Sequence, residues 1–225
     1  MVVLDRDTDK CEEISRELGD GGVVVCGSVL EDADVQRAIE AAQGFGSLRG
    51  VVACAGGGEA GGRLVGRGGV PHDMDIFRRT IDLNVTGSFN TLRLAAAAME
   101  ANEADEDGER GATVLVTSGA GFEGQIGQIA YGSAKAALIG MTLIAARDLS
   151  SMGVRVNAIA PGVMDTTAWE QAPPELKAAL EATVPFPRRL GAPEEFARLA
   201  EHLITNRYMN GHVARLDGAL RFGPK

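Results

Sequence analysis

Six short apolar runs separated by longer amphipathic ones limit what this chain can fold into. Val2 to Leu4, Val23 to Cys26, Val51 to Cys54, Thr113 to Thr117, Val154 to Ile159 and His212 to Leu216 read as strands, rich in β-branched residues and too short for helices. Between them, Asp9 to Leu18, Ala33 to Ala42, Met74 to Met99, Ile129 to Met152 and Pro193 to Ile204 read as helices. A helix between successive strands returns the chain to the same end of a sheet, so the strands run parallel and the helices cover both faces. The expected fold class is α/β, a doubly wound parallel sheet, and 225 residues at 45% hydrophobic content fit one domain spanning the whole chain.

Three stretches break the alternation. Gly56 to Val70 is glycine-rich and reads as a flexible loop after the third strand. Ala101 to Gly111 is acidic and reads as a solvated excursion. Gly162 to Arg189 holds four prolines around a short helix near Glu175 to Ala182, and its place after a strand end suits a lid over a ligand.

Charge and cysteine content remove several function classes. A net charge of −9 repels nucleic acid and anionic membrane alike, and no lysine or arginine run offsets it. Cys11, Cys26 and Cys54 are odd in number and far apart, which indicates neither a disulfide framework nor a zinc site. His72, His202 and His212 show no ligand spacing, so no metal is expected. Trp169 reads as a packing group. With no basic leader and no segment of about 20 apolar residues, the expected setting is soluble, reducing and cytoplasmic.

The chemistry is concentrated between Ser118 and Lys135. Ser118 directly follows the run Ala112 to Thr117, which places its hydroxyl at the end of a buried strand, where ligands of open parallel sheets collect. Tyr131 and Lys135 lie four apart on the next helix and share a face. An ammonium beside the phenol favours the ionised form and brings an acid of pKa ~10 toward working range. Ser118 then holds a substrate carbonyl oxygen while Tyr131 exchanges its proton and a dihydronicotinamide delivers hydride. Tyr-x-x-x-Lys alone is a weak pattern; the serine offset, the strand before it and the helix after it supply the specificity.

With Ser118, Tyr131 and Lys135 come Asn84 in Leu83-Asn84-Val85-Thr86-Gly87 and the run Asn157-Ala158-Ile159-Ala160-Pro161-Gly162. On these residues the chain resembles the short-chain dehydrogenase/reductase family over essentially its whole length. The resemblance implies a Rossmann-type sheet and a role for Asn84 in anchoring a water chain that leads from Lys135; its other reading is a polar residue at a helix bend. Implied cofactor contacts fall on Asp5, Ser28, Val29, Cys54, Ala55, Gly56, Tyr131, Lys135, Pro161, Gly162, Val163 and Thr166. Implied substrate contacts fall on Ser118, Gln125 and Gln128.

Within the family, Phe122-Glu123-Gly124-Gln125-Ile126-Gly127-Gln128, Val184-Pro185-Phe186-Pro187, Arg189-Leu190-Gly191 and the ending Asn210 to Ala219 are similar to the type II 3-hydroxyacyl-CoA dehydrogenases. That likeness implies NAD-linked interconversion of a 3-hydroxyacyl-CoA and a 3-oxoacyl-CoA by a homotetramer. The cofactor can also be argued physically. If Val2 to Leu4 is the family's second strand, Asp5 sits at its end, accepts from the adenosine ribose hydroxyls and repels a 2′-phosphate, which favours NAD over NADP. Arg6 pulls the other way, and Asp5 has a second reading as a turn or helix-cap residue. Ser28 stands where the family usually has an aspartate touching the adenine, and Ala53 replaces a common asparagine.

The largest departure is at the beginning, because the family's first strand, its glycine-rich turn and the helix that binds the pyrophosphate have no counterpart before Val2. That strand would lie between the one at Val2 and the one at Val51, leaving two inner edges unpaired. The expectation is a natural product with roughly 30 further residues at its start, about one βαβ opening. Two other functions stay open: reduction of carrier-protein-linked 3-oxoacyl groups, steroids or other alcohols by the same residues, and a non-catalytic scaffold subunit lacking the dinucleotide cradle.

Overall fold

In the computed structural model, which describes residues 1–58, 62–167 and 173–224, the parallel strands fall into two sheets. The smaller pairs β1 (Val2–Asp5) with β2 (Val23–Cys26), with Val2 opposite Val23. The larger runs in the order β3 (Gly50–Ala53), β4 (Gly111–Val116), β5 (Val154–Pro161), β6 (Val213–Leu216), every pair parallel. Helices α1 (Thr8–Leu18), α2 (Asp32–Gln43), α3 (Met74–Ile81), α4 (Gly87–Glu100), α5 (Ile129–Asp148), α6 (Pro174–Thr183) and α7 (Pro193–Thr205) connect them. The doubly wound α/β reading holds, and Met74 to Met99 is a single helical path interrupted by one π-helical turn at Asp82–Thr86.

Both faces of the larger sheet are covered, as its unbroken apolar strands require. Side chains alternate across β4 and β5. Leu115, Val156 and Ala158 therefore meet Leu92 of α4 and Ala146 of α5, whereas Val114 and Ile159 meet Ala200 and Leu203 of α7. α5 is long and apolar enough to cross a membrane by composition, contrary to the sequence reading, but about a third of it is buried in the protein, where it packs on β5.

The facing edges of β1 and β3 have no strand between them among the described residues, as expected. A cavity of about 600 Å³ lies there, walled by Val2, Leu4, Val51, Ala53 and Ser88. The Ser88 hydroxyl is buried in that wall without a hydrogen-bond partner among the described residues.

The acidic excursion is largely exposed, as expected, and is also pinned: Arg207 forms ion pairs with Asp105, Glu106 and Asp107, and Arg155 pairs with Glu109 at 2.9 Å. Arg155 also donates to the carbonyls of Leu203 and Ile204, which the end of α7 leaves without helical partners, and to that of Met209 in the turn that follows. The glycine-rich loop carries a bridge between Val65 and Pro71 and a 3₁₀ turn at Arg67–Gly69. Finally, α1 folds back on the sheet and brings Cys11 and Cys26 together, their Cα atoms 6.1 Å apart, a proximity that the sequence reading did not anticipate. Trp169 lies outside the described residues.

Candidate active site

All the strand ends that sequence marked open on one rim. Asp5 ends β1, Ser28 and Val29 follow β2, Cys54 to Gly56 follow β3, Ser118 follows β4, and Pro161 to Val163 end and follow β5. This is the carboxyl edge of a parallel sheet, where the chain must turn away and expose backbone and side-chain polar groups.

Ser118 occupies the N-cap of the 3₁₀ turn Gly119–Gly121 and accepts from the Ala120 N–H at 3.2 Å. Tyr131, in the first turn of α5, faces the Ser118 side chain, which favours its phenolate against the effect of burial. Lys135, one turn later and only 3% exposed, donates from Nζ to the Val116 carbonyl at 2.9 Å and stands 5.6 Å from the Tyr131 ring centre. The helix is held to the strand by Thr117, whose hydroxyl donates to the Lys135 carbonyl at 2.6 Å. Thr117 escaped the sequence reading, because nothing in a strand residue announces a bond to a helix 18 positions on.

Electrostatics differ from expectation. Burial pushes the Lys135 ammonium down to about 8, with Cys54 opposing, and burial also pushes the Tyr131 phenol up, with Ser118 opposing. Desolvation penalises both charged forms more than they stabilise one another. The site therefore holds a neutral phenol and an ammonium that gives up its proton readily. Cys54, open to the cavity on one side and packed on the other, has its thiol pushed up by burial.

Asn84 lies in the π turn, fully buried. Its amide donates to the carbonyls of Gly57 and Thr80 and accepts from the Gly57 N–H at 3.1 Å. A π turn adds one residue to the helix and so re-aims a side chain, here toward the loop after β3. A Cβ on Gly56 would lie 2.9 Å from Asn84 Oδ1 and 3.0 Å from Lys135 Nζ, so only glycine lets the backbone pass between them.

The other marked residues are placed as follows. Asp5 Oδ1 accepts from the Asp7 N–H at 2.9 Å, so the carboxylate makes a turn contact while standing on the rim. The Ser28 hydroxyl accepts from Leu30, and Val29 presents its carbonyl to Asn90. Ala55 is half-buried beside Gly56; Val163 accepts from the Gly191 N–H, and Thr166 is exposed. Gln125 and Gln128 lie, half-buried, on the loop between Ser118 and α5. These residues fit the two ends of a dinucleotide: a carboxylate on the β1 side, and on the other a glycine-lined gap beside Tyr131 and Lys135.

A family profile described as enoyl-(acyl carrier protein) reductase matches residues 1–220. A Drosophila melanogaster protein named 3-hydroxyacyl-CoA dehydrogenase type-2 is 42% identical over 225 residues, 100% of this chain and 88% of that protein. Its Homo sapiens namesake is 41% identical over 224 residues, 99% of this chain and 86% of that protein. The crystal structure of 3-hydroxyacyl-CoA dehydrogenase type-2 from Mycobacterium avium matches with a TM-score of 0.96 at 50% identity, covering 100% of this chain and 87% of that one. Full-length similarity at this level, added to a serine, tyrosine and lysine gathered at the strand ends, makes the chain a member of the short-chain dehydrogenase/reductase family and an oxidoreductase.

Proposed function

We propose that the protein interconverts a 3-hydroxyacyl-CoA and a 3-oxoacyl-CoA with NAD as its cofactor. The observation that carries this reading is the Tyr131 phenol gathered with Ser118 at the strand end, its ring 5.6 Å from the Lys135 ammonium. Bound NAD supplies the hydride acceptor, and NADH the donor in the reverse direction. Asp5 would hold the adenosine ribose, and the backbone of Cys54 to Gly56 and of Pro161 to Gly162 would flank the nicotinamide side.

The protein's own groups handle the proton. The Ser118 oxygen already accepts from Ala120, which leaves its O–H to donate to the substrate's C3 oxygen. Tyr131 gives its phenolic proton to that oxygen during reduction; during oxidation the phenol first passes its proton to deprotonated Lys135, and the resulting phenolate takes the proton of the substrate hydroxyl. Lys135, poised near 8, exchanges a proton at Nζ close to neutral pH, and Asn84 fixes the Gly57 peptide at the same spot, where it anchors the water relay. Support for acyl-CoA comes from the names of the similar proteins; support for NAD comes from the rim position of Asp5. Phe89 of α4 and Leu143 and Ile144 of α5, large apolar side chains left in solvent, support association with further copies of the chain, and the assembly proposed from the family resemblance is a homotetramer.

Titrating NADH and NADPH into the purified chain by fluorescence, then assaying acetoacetyl-CoA reduction, tests the reading. Saturable NADH binding at least tenfold tighter than NADPH, with turnover, is expected. A folded chain that binds neither nucleotide would leave the scaffold alternative. Carrier-linked 3-oxoacyl substrate is the second reading; the description of the matching family profile, an enoyl-(acyl carrier protein) reductase, favours the carrier link. Against it stands the net charge of −9, which opposes docking of an acidic carrier protein. Turnover faster with the carrier-linked compound than with acetoacetyl-CoA would favour it.

A further inference from the structure

The loop that follows Ser118 is held from outside by a cluster that the reaction described above does not use. Arg215 of β6 reaches Glu123 through both terminal nitrogens of its guanidinium, Nη1 to Oε1 and Nη2 to Oε2, the latter at 3.1 Å. The same guanidinium sits 5.0 Å from the centre of the Phe122 ring. Its Nε donates to Asp217 at 2.6 Å, and Nη2 also donates to the Leu220 carbonyl at 3.1 Å. The side chains of Arg215, Glu123 and Asp217 keep 20%, 18% and 7% of their surface, so the fork is largely shielded from water and counts for more than a surface pair.

The two carboxylates belong to different parts of the rim. Glu123 lies on the segment that begins at Ser118 and carries Gln125 and Gln128 to the start of α5. Asp217 packs under Gly162, where an added Cβ would come within 2.9 Å of the Asp217 Cα. Arg215 therefore joins the loop on the substrate side to the strand end on the cofactor side. Two further contacts run the same way: the Ile126 N–H donates to the Pro224 carbonyl at 2.9 Å, and the Phe222 ring closes over Gly119, next to Ser118, where a Cβ would meet it at 2.9 Å.

We propose that the Arg215–Glu123 fork is a positioning clasp, which sets where the Ser118–Gln128 loop stands relative to Tyr131 and the cofactor side and so governs binding of the carbonyl substrate. Neither residue touches the reacting atoms. A planar fork on a carboxylate restrains both translation and rotation of the loop, whereas a single-point charge restrains only distance. The proposal rests on the assignment of Ser118 and Tyr131 to the reaction.

The test is a double-mutant cycle of Glu123→Gln and Arg215→Gln in the full chain, with Arg215→Lys as the conservative variant. Glu123→Gln keeps the volume of the side chain and removes its charge. Hydrogen exchange should quicken about tenfold at the Glu123 and Ile126 amides and stay unchanged in β4 and β5. The KM for whichever 3-oxoacyl substrate the parent reduces should rise about tenfold, with the NADH Kd within about twofold. The double variant should be no worse than the worse single one, and Arg215→Lys should recover part of the loss. Unchanged loop exchange in Glu123→Gln would overturn the clasp whatever the substrate is, and so would additive losses or a quickened loop with KM unmoved. A parent without turnover on any acyl substrate sinks the substrate reading instead, and the exchange measurement then decides the clasp by itself.

Discussion

β4 and β5 are buried along nearly their whole length, whereas every residue of β1 and β2 keeps part of its surface in solvent. The first pair is covered by helices on both faces and bordered by strands on both edges; among the described residues β1 meets another strand on one edge only and faces the cavity with the other. The groups proposed for the proton chemistry stand on or beside the well-packed half: Ser118 at the end of β4, Tyr131 and Lys135 on the helix over it, tied to the strand by Thr117. The half that would hold the adenosine end, through Asp5, is the lightly packed one. Proton transfer between groups a few tenths of an ångström from their working positions needs a rigid support, while a ribose contact tolerates a looser one.

This contrast can be broken by substitution. Tyr131→Phe should lower turnover about a thousandfold and leave NADH affinity and thermal stability near those of the parent, since it removes one hydroxyl from a packed ring. Turnover within tenfold of the parent would take the proton chemistry away from this residue.

Lys135→Met should also abolish turnover, but with a stability signature of its own. Unfolded, Lys135 titrates near 10.5; folded, near 8, so the fold carries the cost of a buried ammonium at pH below about 8 and sheds it as pH rises toward 10.5. The variant should melt a few degrees above the parent at pH 7, the gap closing above pH 8. A lower melting point at pH 7 would mean that the Val116 contact outweighs desolvation.

The two halves should also differ in energy. Leu203→Ala, beneath β4 and β5, should cost about 3 kcal/mol, and Val3→Ala in β1 about 1 kcal/mol, both read from urea unfolding. Equal costs would remove the distinction. In the same spirit, Asp5→Ala should weaken NADH binding about tenfold with kcat almost unchanged, because a ribose contact binds ground and transition states alike. A drop in kcat would tie Asp5 to the chemistry.

The smallest effect concerns the entry to α7. Arg189 holds the Glu195 carboxylate at about 2, helped by the Ala192 N–H, against an ordinary 4.5. A lowered carboxylate stabilises the fold above about 4.5 and loses that contribution as pH falls toward 2. Glu195→Gln should therefore melt slightly below the parent at pH 6 and equally at pH 2; a gap that persists at pH 2 would be a packing effect.

What could be read without coordinates was local in the chain. Strand runs, the spacing of Tyr131 and Lys135 on one helix face and the serine at a strand end depend on periodicities of a few residues, and all reappear in the fold. Contacts between distant residues left no such trace. Arg155 meets Glu109 across 46 positions and Arg215 meets Glu123 across 92, and nothing distinguishes these arginines in the sequence from solvated ones. The Cys11–Cys26 pair escaped for the same reason.

By itself, then, the sequence determined the alternation of strands and helices and the residues able to move a proton, because hydrophobic period and side-chain chemistry are properties of short segments. Tertiary structure decided how those groups are tuned and held. It buried Lys135 and Tyr131 enough to bring their charged forms into disfavour, turned Asn84 toward Gly57 through one π turn, and closed arginines over an acidic loop and a substrate loop. Desolvation and long-range ion pairing depend on what the rest of the chain places nearby, which no local pattern records.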